Sequence, residues 1–183
     1  MTDCRQLVQK CIKGHRKFQK ELYDCYASKM LGICMRYAKD KFEAEDYLQE
    51  GFIKVFKNLK YLEKPDQLEG WMRTIMINTA LERIRKEKHH DNNVELGDNT
   101  DLEVSDDAIE HLNQEALLKI IQSLPSGFRT VFNMYAIEGY SHKEIGSMLG
   151  ITEGTSKSQF ARARKLLQEK VNQLDQAAIK HLA

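Results

Sequence analysis

Proline is scarce in this sequence, and its scarcity favours helices. Pro65 and Pro125 are the only prolines among the 183 residues, and proline is the residue that most strongly interrupts a helix. Long alternations of β-branched residues, which are typical of strands, are absent as well. Apolar residues instead recur at helical intervals along most of the chain. The sequence therefore predicts an all-α fold.

Long apolar runs are also missing. No stretch approaches the roughly 18 apolar residues that a membrane-spanning helix needs. Residues 1–17 contain no apolar segment behind their charges, so they do not resemble a secretory signal. We therefore expect a cytoplasmic protein with no direct membrane insertion.

Motifs for metal binding and catalysis are absent too. The four cysteines form no CxxC pair and lie near no histidine pair with zinc spacing, so we interpret them as core residues or free thiols. His89 and His90 are adjacent, and adjacent side chains on a helix do not face each other. There is no glycine-rich phosphate loop, nucleophile elbow or recognisable carboxylate pair. We expect no metal, no cofactor and no enzymatic activity.

Charge is distributed unevenly, although the formal net charge is only +1. Residues 1–90 contain 19 Lys and Arg against 13 Asp and Glu, a balance of +6. Residues 91–118 contain 9 acids and no Lys or Arg, whereas residues 119–183 contain 9 bases against 5 acids. Two basic blocks therefore flank an acidic joint, which indicates two domains.

The acidic joint sets the predicted domain boundaries. The stretch HHDNNVELGDNTDLEVSDD is polar and has no apolar period, which is typical of a flexible linker. We predict two small helical bundles, residues 1–88 and 111–183, joined by a flexible acidic linker at residues 89–110.

Each block contains several predicted helices. Those of the first block span residues 20–37, 43–59 and 71–88. Those of the second block span residues 111–124, 128–137, 141–149 and 153–174. Ser141 and Glu144 form a capping box for the third of these, Gly150 ends it, and Thr152 caps the last helix.

The last helix has two distinct faces. With about 100° per residue, an apolar stripe contains Phe160, Ala163, Leu167, Val171 and Leu174. The opposite face contains small and cationic residues, namely Ser158, Ala161, Arg162 and Lys165. Lys157 and Arg164 lie on a flank, and residues 155–167 contain no acid.

This arrangement predicts a helix-turn-helix that binds DNA. A short helix, a turn containing Gly150 and a second helix with an exposed N-terminal half follow one another. Lys157 and Arg164 are placed to hold phosphates, and Ser158 and Arg162 to reach base edges in the major groove. The alternative is an ordinary helical hairpin with a solvated face.

Three segments of the chain resemble one family. EAEDYLQEGFIKVFKNL and the later GWMRTIMINTALERIRKEK are similar to region 2 of bacterial sigma-70-type factors. LPSGFRTVFNMYAIEGYSHKEIGSMLGITEGTSKSQFARARKLL is similar to their region 4. With no other domain between them, the chain resembles the extracytoplasmic-function (ECF) class. The resemblance covers residues 20–88 and 112–170.

The resemblance implies binding to core RNA polymerase, through its β and β′ subunits. In the family, region 2 binds the β′ clamp helices, and Asp46, Gln49, Glu50 and Phe52 match the motif that does so. Ile53 lies on the same exposed face as the acids. A solvated face is the alternative interpretation of this helix.

The resemblance also implies contacts to the melted −10 element. Asn78 matches the family's asparagine there, and residues 59–70 match its base-binding loop. The polar and aromatic residues expected to contact this DNA from the loop are Lys60, Tyr61 and Lys64. Arg73, Arg83 and Arg85 are expected to supply a cationic groove, whereas Trp71 is expected in the core because it has helical spacing with Ile75.

The −35 element is assigned to the second block. Lys157, Ser158, Ala161 and Arg162 match the family positions that recognise it, and Arg164 and Lys165 add cations beside them. The chain departs from many members at Gln159 and Ser156, of which Ser156 falls toward the buried face.

Two further expectations follow from the resemblance. Family members are commonly held by an anti-sigma factor, so we expect one here. A sigma factor is the leading hypothesis, and the rival is a stand-alone helix-turn-helix regulator with a helical sensor or dimerisation domain. Such a regulator needs no acidic face on the 43–59 helix and binds duplex DNA without polymerase.

Overall fold

The computed structural model describes residues 4–90 and 114–181. The chain divides into two compact units, Met1–Glu87 and Lys88–Ala183. Every regular element in the described ranges is helical, which confirms the predicted all-α class. His89 and His90, the first residues of the predicted linker, are the last residues of the helix Leu68–His90. The rest of the predicted linker, residues 91–110, lies outside the described residues.

Four helices build the described part of the first unit. They are α1 (Cys4–Ile12), α2 (Arg16–Tyr37), α3 (Lys41–Asn58) and α4 (Leu68–His90). Two short 3-10 turns, Leu59–Tyr61 and Pro65–Gln67, lie between α3 and α4. Pro65 initiates the second turn, which runs directly into α4, so α4 begins three residues before the predicted start at residue 71.

The predicted apolar stripe of α3 forms much of this unit's core. Its members are Ala44, Leu48, Phe52, Val55 and Leu59, all of them buried. Asp40 caps the helix, because its side chain accepts a hydrogen bond of 2.9 Å from the Glu43 amide. The cap and the stripe together fix which side of α3 is exposed.

Helix α1 was not predicted, and it packs on α2 and on both 3-10 turns. Its buried side chains are Leu7, Val8 and Cys11, which follow a helical spacing. Burial raises the pKa of the Cys11 thiol to about 11 and that of Cys34 in α2 to about 12. Both cysteines are therefore core residues, as predicted, whereas Cys25 is an exposed free thiol.

The described part of the second unit contains four further helices. They are α5 (Gln114–Gln122), α6 (Ser126–Phe132), α7 (His142–Leu149) and α8 (Glu153–His181). A π-helical turn, Asn133–Ile137, extends α6. Helices α5, α6 and α7 each pack on α8, so α8 is the central element of this unit.

The local signals around α7 are confirmed. Ser141 accepts a hydrogen bond from the Glu144 amide while the Glu144 carboxylate accepts one from the Ser141 amide, which is the predicted capping box. Gly150 ends α7 with a φ of 67°, a left-handed conformation that favours glycine. Thr152 accepts a hydrogen bond of 3.0 Å from the Thr155 amide and caps α8.

Candidate nucleic-acid interface and docking face

One side of α3 carries four of the residues predicted to contact polymerase. Asp46, Gln49 and Ile53 are exposed, and Glu50 is half-buried. Phe52 lies apart from them, because only 3% of it is exposed and its ring packs against Tyr23 of α2 with centroids 4.6 Å apart. We name these four residues, Asp46, Gln49, Glu50 and Ile53, the α3 face.

A groove between α2 and α3 adjoins the α3 face. Its walls combine apolar and acidic side chains, including Tyr23, Leu31, Glu45, Phe52 and Phe56. Phe52 forms part of the wall instead of projecting from it. The groove therefore extends the α3 face toward α2 with apolar surface rimmed by carboxylates.

A network of ion pairs ties the α3 face to α4. Glu50 accepts a hydrogen bond of 2.6 Å from Arg83 Nε and lies 3.1 Å from Lys54 Nζ. Lys54 also donates to Glu82 of α4 at 2.7 Å. Arg83, which was predicted to line a cationic DNA groove, is thus paired with Glu50, which was predicted to contact polymerase.

The network shifts the titration of Glu50. Partial burial acts to raise the pKa of Glu50, but hydrogen bonds from Arg83 and Lys54 outweigh it and hold the pKa below its ordinary value. The same contacts raise the pKa of Arg83. Glu50 is therefore ionised at neutral pH and keeps its charge into mildly acidic solution.

We expect the stabilising effect of Glu50 to disappear in acid. A carboxyl whose pKa is lowered by folding stabilises the fold above its unfolded pKa, about 4.5, and loses that effect as pH falls through the folded value. Replacing Glu50 with Gln should therefore lower the free energy of unfolding by up to about 1 kcal/mol at pH 7. Urea titrations should show the difference closing below about pH 4. The exposed Lys41–Glu45 pair supplies a control, Glu45→Gln, with a smaller effect; a gap that persists in acid would contradict the assignment.

The loop between α3 and α4 forms an open depression with the start of α4. Tyr61 is 66% exposed, and Lys60 Nζ lies 4.9 Å from the centroid of its ring. The walls of the depression are Tyr61, Leu62, Glu63, Lys64, Gln67, Gly70, Trp71 and Thr74. Trp71 is half-buried, so its expected place in the core is only partly right, because one part of the ring faces this depression.

Three predicted −10 residues lie farther along α4. Asn78 is exposed and stands seven residues after Trp71, two helical turns along the same side. Arg73 is half-buried and Arg85 is exposed, and each has an interaction of its own within the protein. The structure thus brings Asn78 and the loop to one side of the unit, whereas the arginines do not form a row of unengaged cations.

The N-terminal half of α8 presents the six residues predicted to contact the −35 element. Lys157, Ser158, Ala161, Arg162, Arg164 and Lys165 are all exposed. Lys157 pairs with Glu153 at 2.6 Å, and the Arg164 guanidinium lies 6.0 Å from the Phe160 ring centroid. Among these six residues, the small side chains of Ser158 and Ala161 lie between the cations, which leaves room for a DNA groove to approach the helix.

Aromatic rings hold α8 against the rest of its unit. Phe160 packs against Tyr135 at 4.6 Å and against Phe132 at 6.0 Å between centroids. His142 stacks on Tyr135 at 4.2 Å, and its Nδ1 shares a hydrogen bond of 2.9 Å with Ser156 Oγ. Ser156 is fully buried, as its predicted position toward the core implied.

Two observations concern sites that the structure lacks in its described ranges. Residues 4–90 and 114–181 contain no group of His, Cys, Asp or Glu side chains arranged to hold a metal ion. No helix in these ranges is both long and apolar enough to span a membrane.

Comparison with family models matches each unit separately. A model described as sigma-70 region 2 matches residues 22–90, and one described as sigma-70, region 4 matches residues 114–167. The first match contains α3, the loop and α4, and the second contains the helix-turn-helix. The two matches follow the order of the resemblance.

Similar proteins support the same family along nearly the whole chain. The chain is 28% identical to the RNA polymerase sigma-H factor of Pseudomonas aeruginosa, covering 93% of this chain and 94% of that protein. It is 27% identical to the ECF RNA polymerase sigma factor SigW of Bacillus subtilis, covering 93% and 97%. Among solved structures, the sigma factor RpoE in complex with the anti-sigma factor NepR from Bartonella quintana shares the fold, with a TM-score of 0.52, 21% identity and coverage of 84% and 96%.

Proposed function

The chain belongs to the sigma-70 family of RNA polymerase sigma factors, in its ECF class, and on that premise we propose which of its surfaces contact polymerase and promoter. A sigma factor directs transcription by recognising DNA and is not an enzyme. The observation that carries the assignment is the presence of regions 2 and 4, in that order, one in each compact unit. The rival, a stand-alone regulator, is not favoured, because its sensor domain would occupy the block that matches region 2.

The α3 face is proposed to bind the β′ clamp helices of core polymerase, with the β subunit as a second contact of the chain. The face offers two carboxylates, Asp46 and Glu50, beside the exposed apolar side chain of Ile53. Such a mixture of charge and apolar surface is typical of a specific docking site. Phe52 contributes by shaping the adjoining groove.

The loop and α4 are proposed to hold the melted −10 element. Exposed Tyr61 and the accessible part of Trp71 provide aromatic surface on which unstacked bases can stack. Lys60, Lys64, Arg73 and Arg85 supply positive charge near the strand, and Asn78 supplies an amide for base recognition. Arg83 joins this set only if its pairing with Glu50 is exchanged for a phosphate.

The exposed half of α8 is proposed to enter the major groove at the −35 element. Arg162 and Ser158 would contact base edges, and Lys157, Arg164 and Lys165 would contact phosphates. Ala161 lies between them and allows close approach.

Substitutions on α8 should separate base recognition from phosphate binding. We expect Arg162→Ala to weaken binding of the holoenzyme to its own promoter by about 1–3 kcal/mol and to relax specificity. Lys157→Ala should weaken binding to all sequences alike and reduce the log–log salt slope by about 0.9. Filter binding at several salt concentrations measures both effects. Lys119→Ala, an equal charge change on α5, is the control; equal effects of Arg162→Ala on matched and mismatched promoters would contradict base contact.

An anti-sigma factor is proposed as a further partner, and the cytoplasm as the site of action. The relative with the shared fold was solved in complex with an anti-sigma factor, and sigma factors work where polymerase transcribes DNA. Co-purification of the tagged chain from its own cells, before and after stress, tests for such a partner.

Run-off transcription tests the proposed function directly. Purified core polymerase should produce discrete transcripts from genomic fragments when the chain is added. The same polymerase should produce none of these transcripts when the chain is left out. Transcripts that start at the same positions with and without the chain would refute the proposal. Tight, sequence-specific binding of duplex DNA by the chain alone would favour the rival regulator.

A further inference from the structure

Phe42 is the most exposed large apolar side chain in the described part of the chain. It lies in the first turn of α3, and 81% of it is accessible to solvent. The next most exposed side chain of this kind in that part is Tyr61, at 66%, which belongs to the proposed DNA loop. A single exposed apolar residue carries no meaning by itself, so its position relative to the α3 face decides its interpretation.

The helical phase of α3 places Phe42 in line with the α3 face. At about 100° per residue, Gln49 and Ile53 fall within about 20° of Phe42, and Asp46 falls within about 40°. Residues 42, 46, 49 and 53 follow one another at intervals of four, three and four positions. This is the spacing of a seam that packs against another helix.

We propose that Phe42 is a further anchor of the polymerase-docking surface, one turn beyond the matched motif, and that it inserts between side chains of a helical segment of core polymerase. The proposal rests on the proposed function of the α3 face. Residues 42 and 53 are separated by eleven residues, or about 16 Å along the helix. The extended seam then has an apolar residue at each end and polar or acidic residues between them.

Charge favours a protein helix over nucleic acid as the occupant. Asp46 lies in the middle of the seam, Glu50 lies beside it, and Glu45 lines the adjoining groove. These carboxylates repel phosphates, whereas a helix with cations opposite the acids and apolar side chains opposite Phe42 and Ile53 complements the whole seam. Lys41, the cation adjacent to Phe42 in sequence, pairs with Glu45 at 3.8 Å and does not convert the seam into a cationic surface.

Equilibrium binding to purified core polymerase tests the proposal. The full chain, labelled at its exposed Cys25, is titrated with core polymerase and followed by fluorescence anisotropy. Phe42→Ser should raise the Kd at least tenfold, and Phe42→Leu, which keeps an apolar side chain, should stay within about threefold of the unchanged protein. The melting temperature should be the same for all three proteins, because the side chain is exposed.

Ile12→Ser is the matched control, since it removes an exposed apolar side chain of the same unit that lies outside the seam. It should leave the Kd for polymerase unchanged. The proposal is overturned if Phe42→Ser binds within twofold of the unchanged protein while Asp46→Ala with Glu50→Ala does not bind; the α3 face then remains and only the anchor is removed. If the unchanged protein fails to bind core polymerase, the proposed function falls, and the anchor with it.

Discussion

Replacing Asp46 and Glu50 together with alanine is expected to abolish binding to core RNA polymerase. Both carboxylates lie on the α3 face, and truncating charged partners in an interface costs about 2–5 kcal/mol for each buried pair. Glu50→Ala also leaves Arg83 and Lys54 without the carboxylate that they share, so the docking surface changes from acidic to basic. A loss of at least about a hundredfold in affinity follows from these magnitudes.

Size-exclusion chromatography and anisotropy titration with core polymerase measure this effect. The fold of the variant is checked by Trp71 fluorescence, because Trp71 is the only tryptophan in the chain and lies in the same unit. The control is Asp24→Ala with Glu69→Ala, which removes two exposed acids that pair with lysines of α2. Equal affinities of the double variant and the control would show that polymerase binds elsewhere.

Gly146→Ala is expected to disrupt the helix-turn-helix. A Cβ built on Gly146 would lie 2.8 Å from the backbone oxygen of Ile151, closer than such atoms approach. The Ile151 amide also donates a 3.0 Å hydrogen bond to the Gly146 carbonyl, so the turn cannot move away without loosening that bond. Backbone cannot rotate aside as a side chain does, and we expect about 1–3 kcal/mol of destabilisation.

Two probes localise this effect. Far-UV circular dichroism reports on both helical units, whereas Trp71 fluorescence reports on the first. Gly146→Ala should lower the melting temperature of the circular dichroism transition of the second unit and leave the fluorescence transition in place, and it should weaken holoenzyme binding at the −35 element by about tenfold or more.

Gly154→Ala is the matched substitution in the same motif. A Cβ at Gly154 meets only the Thr152 hydroxyl, at an ordinary 3.7 Å. Alanine is the better helix former, so stability should be equal or slightly higher. If the Gly146→Ala and Gly154→Ala proteins have the same melting temperature, the close approach of α7 to the turn does not determine the stability of the motif.

Local features of the fold were predictable because neighbouring residues determine them. The capping box of Ser141 and Glu144, the left-handed Gly150 and the Thr152 cap each depend on residues within a few positions. The apolar stripe of α3 followed from its period alone, and every predicted member is buried. These are interactions that a short sequence window contains completely.

Contacts between distant residues were not predictable in this way. Arg83 and Glu50 are 33 positions apart, and only the packing of α4 against α3 brings them together. The ring contacts of Phe160 with Phe132 and Tyr135 likewise need the folded unit. Helical phase predicted Phe160 on the buried face of α8, where its ring is half-buried, but it did not identify the rings that it meets.

The start of α4 also could not be predicted from the sequence. A break at Pro65 was predicted, but the 3-10 turn that carries the chain straight into α4 was not. This turn leaves Trp71 at the edge of a depression, where helical spacing alone had placed it in the core. Helical periodicity identifies which side of a helix is apolar. It does not show where along the helix the residues that pack against that side end.

Under the proposed assignments, in which Glu50 contacts polymerase and Arg83 contacts DNA, the Glu50–Arg83 pair couples the two binding events. A polymerase group that replaces Arg83 at the Glu50 carboxylate would free the Arg83 guanidinium for a phosphate. By reciprocity, a DNA strand that captured Arg83 would then strengthen binding to polymerase by the same factor. Under these assignments, the first ligand to bind must break the 2.6 Å hydrogen bond between Arg83 and Glu50, and the second ligand does not.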